Sequence, residues 1–415
     1  MAQAAFEFSP LVQHATQPGI PLGHAAVRRR PGPAAAAAPR IATDTAATDL
    51  DATGFEIGWD HAHHRLTPPL RHLHDHNPVR QGWSAGRAVF GSRMLKPTVA
   101  VRQWLGLRLQ AWQQGAVFEG VQVNPHFLAR IDGAECPVSR QPLTLCAGRP
   151  GDACISRLNL AAAYAAGNLV VLSQRVADVH QGADAACQPS PAERPHEPGQ
   201  PGQPAASPLS ADESARLGVL ASFATPLPHA QAALLALRVL PPNRVRVINP
   251  VQALQVMLTL QFTQAGYARR LLGLAVLMPG SEVRQAFLIF MHTLLARRLS
   301  AGQAPTPLAL RRAMEDSWAD ALVNRRWQRL ATRLSAADCE RLLQRAGQRG
   351  LAVGGSRWLS ADSATDGWAL SARRTCPVVP AVQAVQAVTA AAAGPVSGIA
   401  SPGIARSLGS QKRAS

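Results

Sequence analysis

The chain has 415 residues, 42 Lys and Arg against 25 Asp and Glu, and a formal net charge of +17 at pH 7. A hydrophobic fraction of 47 % can fill the cores of two or three domains of roughly 100–200 residues each. A balance this basic draws polyanions through counterion release. Six cysteines in a chain this long exclude a disulfide framework, and the most apolar stretches, 271–278 and 286–295, are too short to span a bilayer.

The opening MAQAAFEFSP lacks a basic segment followed by an apolar one, so no secretory signal is expected and the cytoplasm is the expected location. Residues 1–50 are Ala, Pro, Arg and Thr without periodicity and read as a disordered tail. Its triple arginine, Arg28, Arg29 and Arg30, is either a nucleic-acid contact or a solvated tail. Order is expected from Gly54. Six histidines follow between His61 and His76, which makes His72 and His76, four apart, candidate metal ligands on one helix face. No zinc-ligand spacing is present, and Pro68-Pro69 interrupts the stretch; the alternative is polar, part-buried His. Helical spacing of Val101, Trp104, Leu105 and Trp112 predicts a helix over 97–114, with Pro97 first. A second helix is expected over 125–131.

In the stretch 136–180, a Cys136-Pro137-Val138-Ser139 turn leads into a glycine-rich loop over 147–152. A short strand or loop end is expected over 154–159 and a helix or turn over 161–165. The β-branched run Leu169-Val170-Val171-Leu172 predicts a second strand. A helix starts near Ser173, its candidate N-cap. Cys136, Cys146 and Cys154 could hold a structural zinc with His180 or Cys187, although gaps of ten and eight residues fit no common finger; buried thiols are the alternative.

The order of Cys turn, loop, Arg157-Leu158-Asn159, Tyr164, Gly167-Asn168-Leu169, Ser173, Arg175 and Val176 resembles the ββα-metal core of HNH-type endonucleases. About 45 residues carry it. The resemblance implies a divalent ion, magnesium or zinc, a His as general base and an Asn that orients it. It makes Asn168, Arg157 and His180 the candidate catalytic residues, and Arg157 and Arg175 candidate nucleic-acid contacts. The departures fall on the metal. Ser156 stands where the family has Asp, Arg157 where the familiar nuclease has His, and Ala177 or Asp178 where a metal-binding His or Asn belongs. Ser139, Ser173 and Val176 replace the remaining zinc ligands. Cleavage is therefore expected to be weak or lost.

Residues 183–208 are dense in Pro, Gly and Gln and read as a linker. Beyond it, capping boxes at Ser210–Glu213 and Ser335–Asp338 begin helices. Further helices are expected over 229–240, 250–265, 281–299, 307–334 and 335–348, with an isolated strand at 245–248. The segment 318–333 places Arg325, Arg326, Arg329 and Arg333 opposite Leu322, Val323, Trp327 and Leu330. That face could follow a phosphate backbone or be merely solvated. Residues 376–415 read as a second disordered tail.

The expectation is an α+β, mainly α, protein with a small ββα-like core after N-terminal helices, then a helical bundle. The units are a tail (1–50), an HNH-like domain (54–182), the linker (183–208), a helical domain (209–370) and a tail (376–415). The expected role is that of a nucleic-acid-associated protein, with DNA or RNA as partner and no membrane. The alternative is a non-enzymatic scaffold whose helical domain binds a protein.

Overall fold

The computed structural model describes residues 5–7, 42–131, 133–145, 148–187, 209–302, 306–353 and 356–370. The architecture is α+β, mainly α. No helix among these residues is long and apolar enough to cross a membrane.

From Ala42 the chain forms three helices in succession: α1 (Ala42–His63), α2 (Pro78–Phe90) and α3 (Val99–Gln113). Asn77 caps α2 by accepting from the Val79 N–H, and Thr98 caps α3 by accepting from Val101. Pro97 therefore lies outside its helix. α1 and α2 touch backbone to backbone. A Cβ on Gly58 would collide with the Val79 carbonyl, and one on Gly82 with that of Phe55. α1 and α3 are tied by Arg108, which pairs with Asp60 and lies 4.7 Å over the Trp104 ring. The short α4 (Pro125–Ile131) follows, matching the expected second helix.

Next come β2 (Ala153–Arg157) and β3 (Leu169–Ser173), an antiparallel pair in the register Ala153–Ser173 to Arg157–Leu169, and then α5 (Gln174–Cys187). β3 is buried on both faces, which is why it is a continuous apolar run, while β2 is mostly half-buried. Ala153, Ile155, Leu169 and Val171 pack towards Leu107, Leu128 and Ile131. Cys154, Val170 and Leu172 join the main cluster with Val176 and Ala177.

The C-terminal half comprises α6 (Ala211–Phe223), α7 (His229–Leu234), α8 (Pro250–Gln261), α9 (Tyr267–Leu277), α10 (Gly280–Ser300), α11 (Pro307–Asp316), α12 (Ala321–Ala331), α13 (Ala336–Gln348) and α14 (Ala361–Ala364). Both expected capping boxes form. α8 is buried all round, and its buried Gln252 and Gln255 donate to Ser222 and to the Leu235 carbonyl. The apolar cluster that holds Cys136 and Leu158 continues into Leu220, Phe223, Leu254, Phe287 and Trp318. The expected units 54–182 and 209–370 thus share a core.

Several expectations are corrected. The 1–50 tail contains structure: α1 starts at Ala42, and β1 (Ala5–Glu7) is the middle strand of a sheet ordered β4-β1-β5, with β4 at Arg246–Val247 and β5 at Arg357–Leu359. The strand expected to be isolated therefore has a partner, supplied from the far end of the sequence. The single helix over 307–334 is two, split by a 3-10 turn at Ser317–Ala319. The turn buries Trp318 completely against Phe290 and Trp327, and Asp320 restarts the helix by accepting from the N–H groups of Leu322 and Val323. α7 stops at Leu234, because the chain after it must extend to bring the Leu240 N–H onto the Glu315 carboxylate. α5 runs past residue 182, and residues 188–208 of the expected linker lie outside the described residues, as do 376–415.

Candidate functional site

The stretch 136–180 folds as a turn, a hairpin and a helix. The Cys136 and Gln141 backbones bond to each other, and Arg140 closes the turn at φ +58° with its N–H on the Cys136 carbonyl. The glycine-rich loop is closed by Asp152, which accepts from the Thr144 hydroxyl at 2.6 Å and the Arg149 N–H at 2.9 Å. The first N–H groups of α5 do not wait for a side-chain cap. Gln174 donates to the Asp152 carbonyl and Arg175 to that of Pro150. α5 thereby starts directly from the end of β3.

Asn168 sits at the closed end of the hairpin, with no exposed surface. Its Oδ1 accepts from the Asn159 N–H at 2.8 Å, and its Nδ2 donates to the carbonyls of Asn159 and Ala163 at 3.0 and 2.9 Å. Asn159 in turn donates to the Ala224 carbonyl at 3.0 Å. Gly167 precedes at φ +88°, where a Cβ would meet the methylenes of the buried Arg246. Both amides are used to hold backbone. Asn159 was absent from the expected site, although it stands beside Arg157 in the pattern that carries the resemblance.

His180 is 3 % exposed, on α5 beneath the strand ends. Its Nε2 lies 3.1 Å from the carbonyls of both Arg157 and Leu158. Two acceptors require that nitrogen to carry the proton, so it has no lone pair there for abstracting another. Arg157 points the other way. Its guanidinium lies 4.5 Å over the Tyr164 ring and donates to the Ala162 carbonyl at 2.9 Å and to Gln114 at 3.3 Å. The Tyr164 hydroxyl shares that Gln114 oxygen, and burial raises its pKa. The three catalytic candidates are adjacent in the fold, but they face different neighbours rather than a common space.

Arg175 pairs with Glu213, the carboxylate of the α6 capping box. Burial alone would raise the Glu213 carboxyl; hydrogen bonds from Arg175 and the Ser210 backbone outweigh it and hold the pKa below the ordinary value. This expected nucleic-acid contact therefore joins α5 to α6. The α12 arginines differ. Arg325, Arg329 and Arg333 are exposed and Arg326 half-buried, and among the described residues no acidic side chain forms an ion pair with any of them. Arg333 lies just past the end of α12 and donates to the Arg329 carbonyl. Val323, Trp327 and Leu330 fill the opposite, buried face. Leu322 is the exception at 39 % exposed, because it lies on the solvent side of the first turn.

The metal candidates are not assembled into a site. His72 ends a 3-10 turn, Leu70–His72, rather than an α-helix, and its Nε2 lies 2.7 Å from the Gln113 amide. His76 is exposed in the turn before α2. Cys136 is fully buried and Cys154 half-buried, both as free thiols, and Cys146 lies outside the described residues. Burial pushes the Cys154 thiol up to about 11. Among the described residues, no three His, Cys, Asp or Glu side chains are grouped to hold a metal ion. No protein-family model, curated protein or solved structure matches the chain.

Proposed function

We propose that the chain is a nucleic-acid-associated protein in which an HNH-like ββα unit serves as a packing junction, and in which the α12 arginines contact phosphate. The observation that carries this reading is the contrast between the two sets of candidate residues. Asn168, His180, Arg157 and Arg175 are committed to internal partners, whereas Arg325, Arg329 and Arg333 lie exposed with no carboxylate paired to them among the described residues. Exposed guanidinium groups along α12 and just past its end suit the backbone of DNA or RNA, which needs charge and no base-specific shape. The order β2, β3, α5 with Asn168 at the hairpin end is what an HNH-like lineage predicts, and it supports that kinship.

The test is a salt titration of binding to a labelled duplex and to a labelled single strand. Affinity should fall steeply with salt. Arg325→Gln, Arg329→Gln and Arg333→Gln should each lower the slope of log K against log salt by about 1. Salt-independent binding, or slopes unmoved by the triple change, would reject nucleic acid as the partner and favour the scaffold reading. Plasmid nicking with magnesium, manganese or zinc is expected to be absent. Nicking that His180→Ala abolishes would overturn the junction role.

A further inference from the structure

The outer face of α1 is acidic in a basic chain. Residues 49–60 hold Asp49, Asp51, Glu56 and Asp60 and no Lys or Arg. Asp51, Phe55 and Trp59 follow one another at intervals of four, so they form one ridge. The Phe55 and Trp59 rings stack with centroids 6.2 Å apart, and Trp59 meets the edge of Phe90 at 5.1 Å. Two clefts, of about 490 and 430 Å³, share Phe55 and Glu56. One reaches Asp51 and the other Trp59, which makes a single trough along the ridge. Arg108 neutralises Asp60. The Glu56 side chain is 71 % exposed and 3.7 Å from the same arginine, while the exposed Asp51 has no ion pair among the described residues.

Elsewhere the chain covers such rings with its own arginines. Arg87, Arg108, Arg157 and Arg298 lie 4.5–4.9 Å over Trp83, Trp104, Tyr164 and Tyr267. Among the described residues no cation lies over Phe55 or Trp59. The α12 face has the complementary make-up. Residues 321–333 hold Arg325, Arg326, Arg329 and Arg333 and no Asp or Glu. Arg325 and Arg329 are exposed and four apart, about 6 Å along the helix, which repeats the step from Phe55 to Trp59. Leu322, one turn earlier, is 39 % exposed, much as Phe55 is at 37 %.

We propose that the trough docks the α12 arginine face of a second copy of this chain. Each planar guanidinium lies on a ring while its N–H groups donate to Glu56 and Asp51. The contact is heterologous: α1 of one copy meets α12 of the next, and each docked pair keeps one free face of each kind. The net charge of +17 repels copies at a distance. At about 0.1 M salt, charges more than about 10 Å apart are largely screened, so the opposed faces decide the outcome. A contact between two helix faces belongs with weak, transient interfaces, and association depends on concentration. A docked copy covers the arginines assigned above to phosphate, but the pairing does not rest on that reading, and its test contains no nucleic acid.

The test is sedimentation equilibrium of the full-length protein at about 0.1 M salt over a range of concentrations. The average mass of the unsubstituted chain should rise with concentration. The α1 variant, Asp51→Asn with Glu56→Gln, and the α12 variant, Arg325→Gln with Arg329→Gln, should each associate at least about tenfold more weakly. An equimolar mixture of the two should recover association but stop at a 1:1 dimer, because one variant brings an intact α12 face and the other an intact trough. That recovery also shows that both variants are folded. A chain that stays monomeric to about millimolar concentration would overturn the proposal. So would a mixture no heavier than its parts, or association that survives either pair of changes. Survival in the α12 variant alone would put a different part of the second copy in the trough.

Discussion

Replacing Asn168 by Ala separates a structural role for this side chain from a catalytic one. The side chain makes three hydrogen bonds, all inside the protein. The Asn159 carbonyl keeps a second partner, the Ala162 N–H, so its loss is partial. The Asn159 N–H and the Ala163 carbonyl are left with no replacement at a fully buried site. Each orphaned buried group costs about 1–3 kcal/mol, which gives about 2–6 kcal/mol for the change. That is a large fraction of the roughly 5–15 kcal/mol that holds a domain folded. Because the hairpin end is also bonded to Ala224 and Trp368, the loss should spread beyond the loop. Native-state hydrogen exchange over 157–169, alongside thermal unfolding, measures both the local and the global effect. Asn168→Asp should be worse than neutral as well, since it keeps the acceptor but replaces two donors with a charge facing two carbonyls. A change below about 0.5 kcal/mol for Asn168→Ala, the range of ordinary surface substitutions, would refute the staple role.

Gly58→Ala and Gly82→Ala should each lower the melting temperature, because the added Cβ meets a carbonyl oxygen of the facing helix and the helices must part, at about 1–3 kcal/mol. Gly106→Ala in α3, where a Cβ meets nothing, should instead be neutral or stabilising by up to about 1 kcal/mol. Burial pushes the Cys154 and Cys339 thiols up to about 11 and about 12, so neither should react with a thiol reagent at pH 8 in the native protein, and both should react in urea. Rapid native labelling of either would contradict that. Burial also lowers the pKa values of His61, His64 and His72 below 6.5. The unfolded chain then binds more protons, so the stability these neutral rings contribute is present above about 6.5 and is lost as pH falls through it. Tryptophan fluorescence of the α1–α3 unit should report loosening between neutral pH and pH 5, and a flat profile would count against it.

Much of the fold was legible where local chemistry decides it. The run 169–172 gave a strand, and Ser210 and Ser335 each began a helix with its acidic partner three residues on. What was not legible depends on distant partners. Nothing in Ala5–Glu7 announces a strand; it is one because β4 and β5 leave a gap between them. Trp318 and Asp320 break a helix whose apolar periodicity continues through them, because burying an indole outweighs continuing the hydrogen-bond ladder. Glycine is a weak helix former, and nothing local marks Gly58 and Gly82 as the positions where the backbones of α1 and α2 meet. At the candidate site the identities were legible and the roles were not. An Asn after a Gly in a hairpin can orient a base or pin a turn, and only the carbonyls around Asn168 decide between them.

The closed end of the hairpin is one place where the two halves of the chain join. Trp368 donates its Nε1 to the Ala166 carbonyl at 2.9 Å and accepts from the Ala163 N–H at 2.7 Å. Arg246 donates its backbone N–H to Gly167 at 3.0 Å, and Asn159 reaches Ala224. These four hydrogen bonds come from three places, the end of the described chain, β4 and the end of α6, and they converge on one loop of eleven residues. Opening the loop would strip it of these internal partners together, at the expense of the core it is packed into. If the hairpin descends from a nuclease, the side chains that once faced a substrate now face other parts of the same chain. Any contact with nucleic acid then has to come from the helices that surround it.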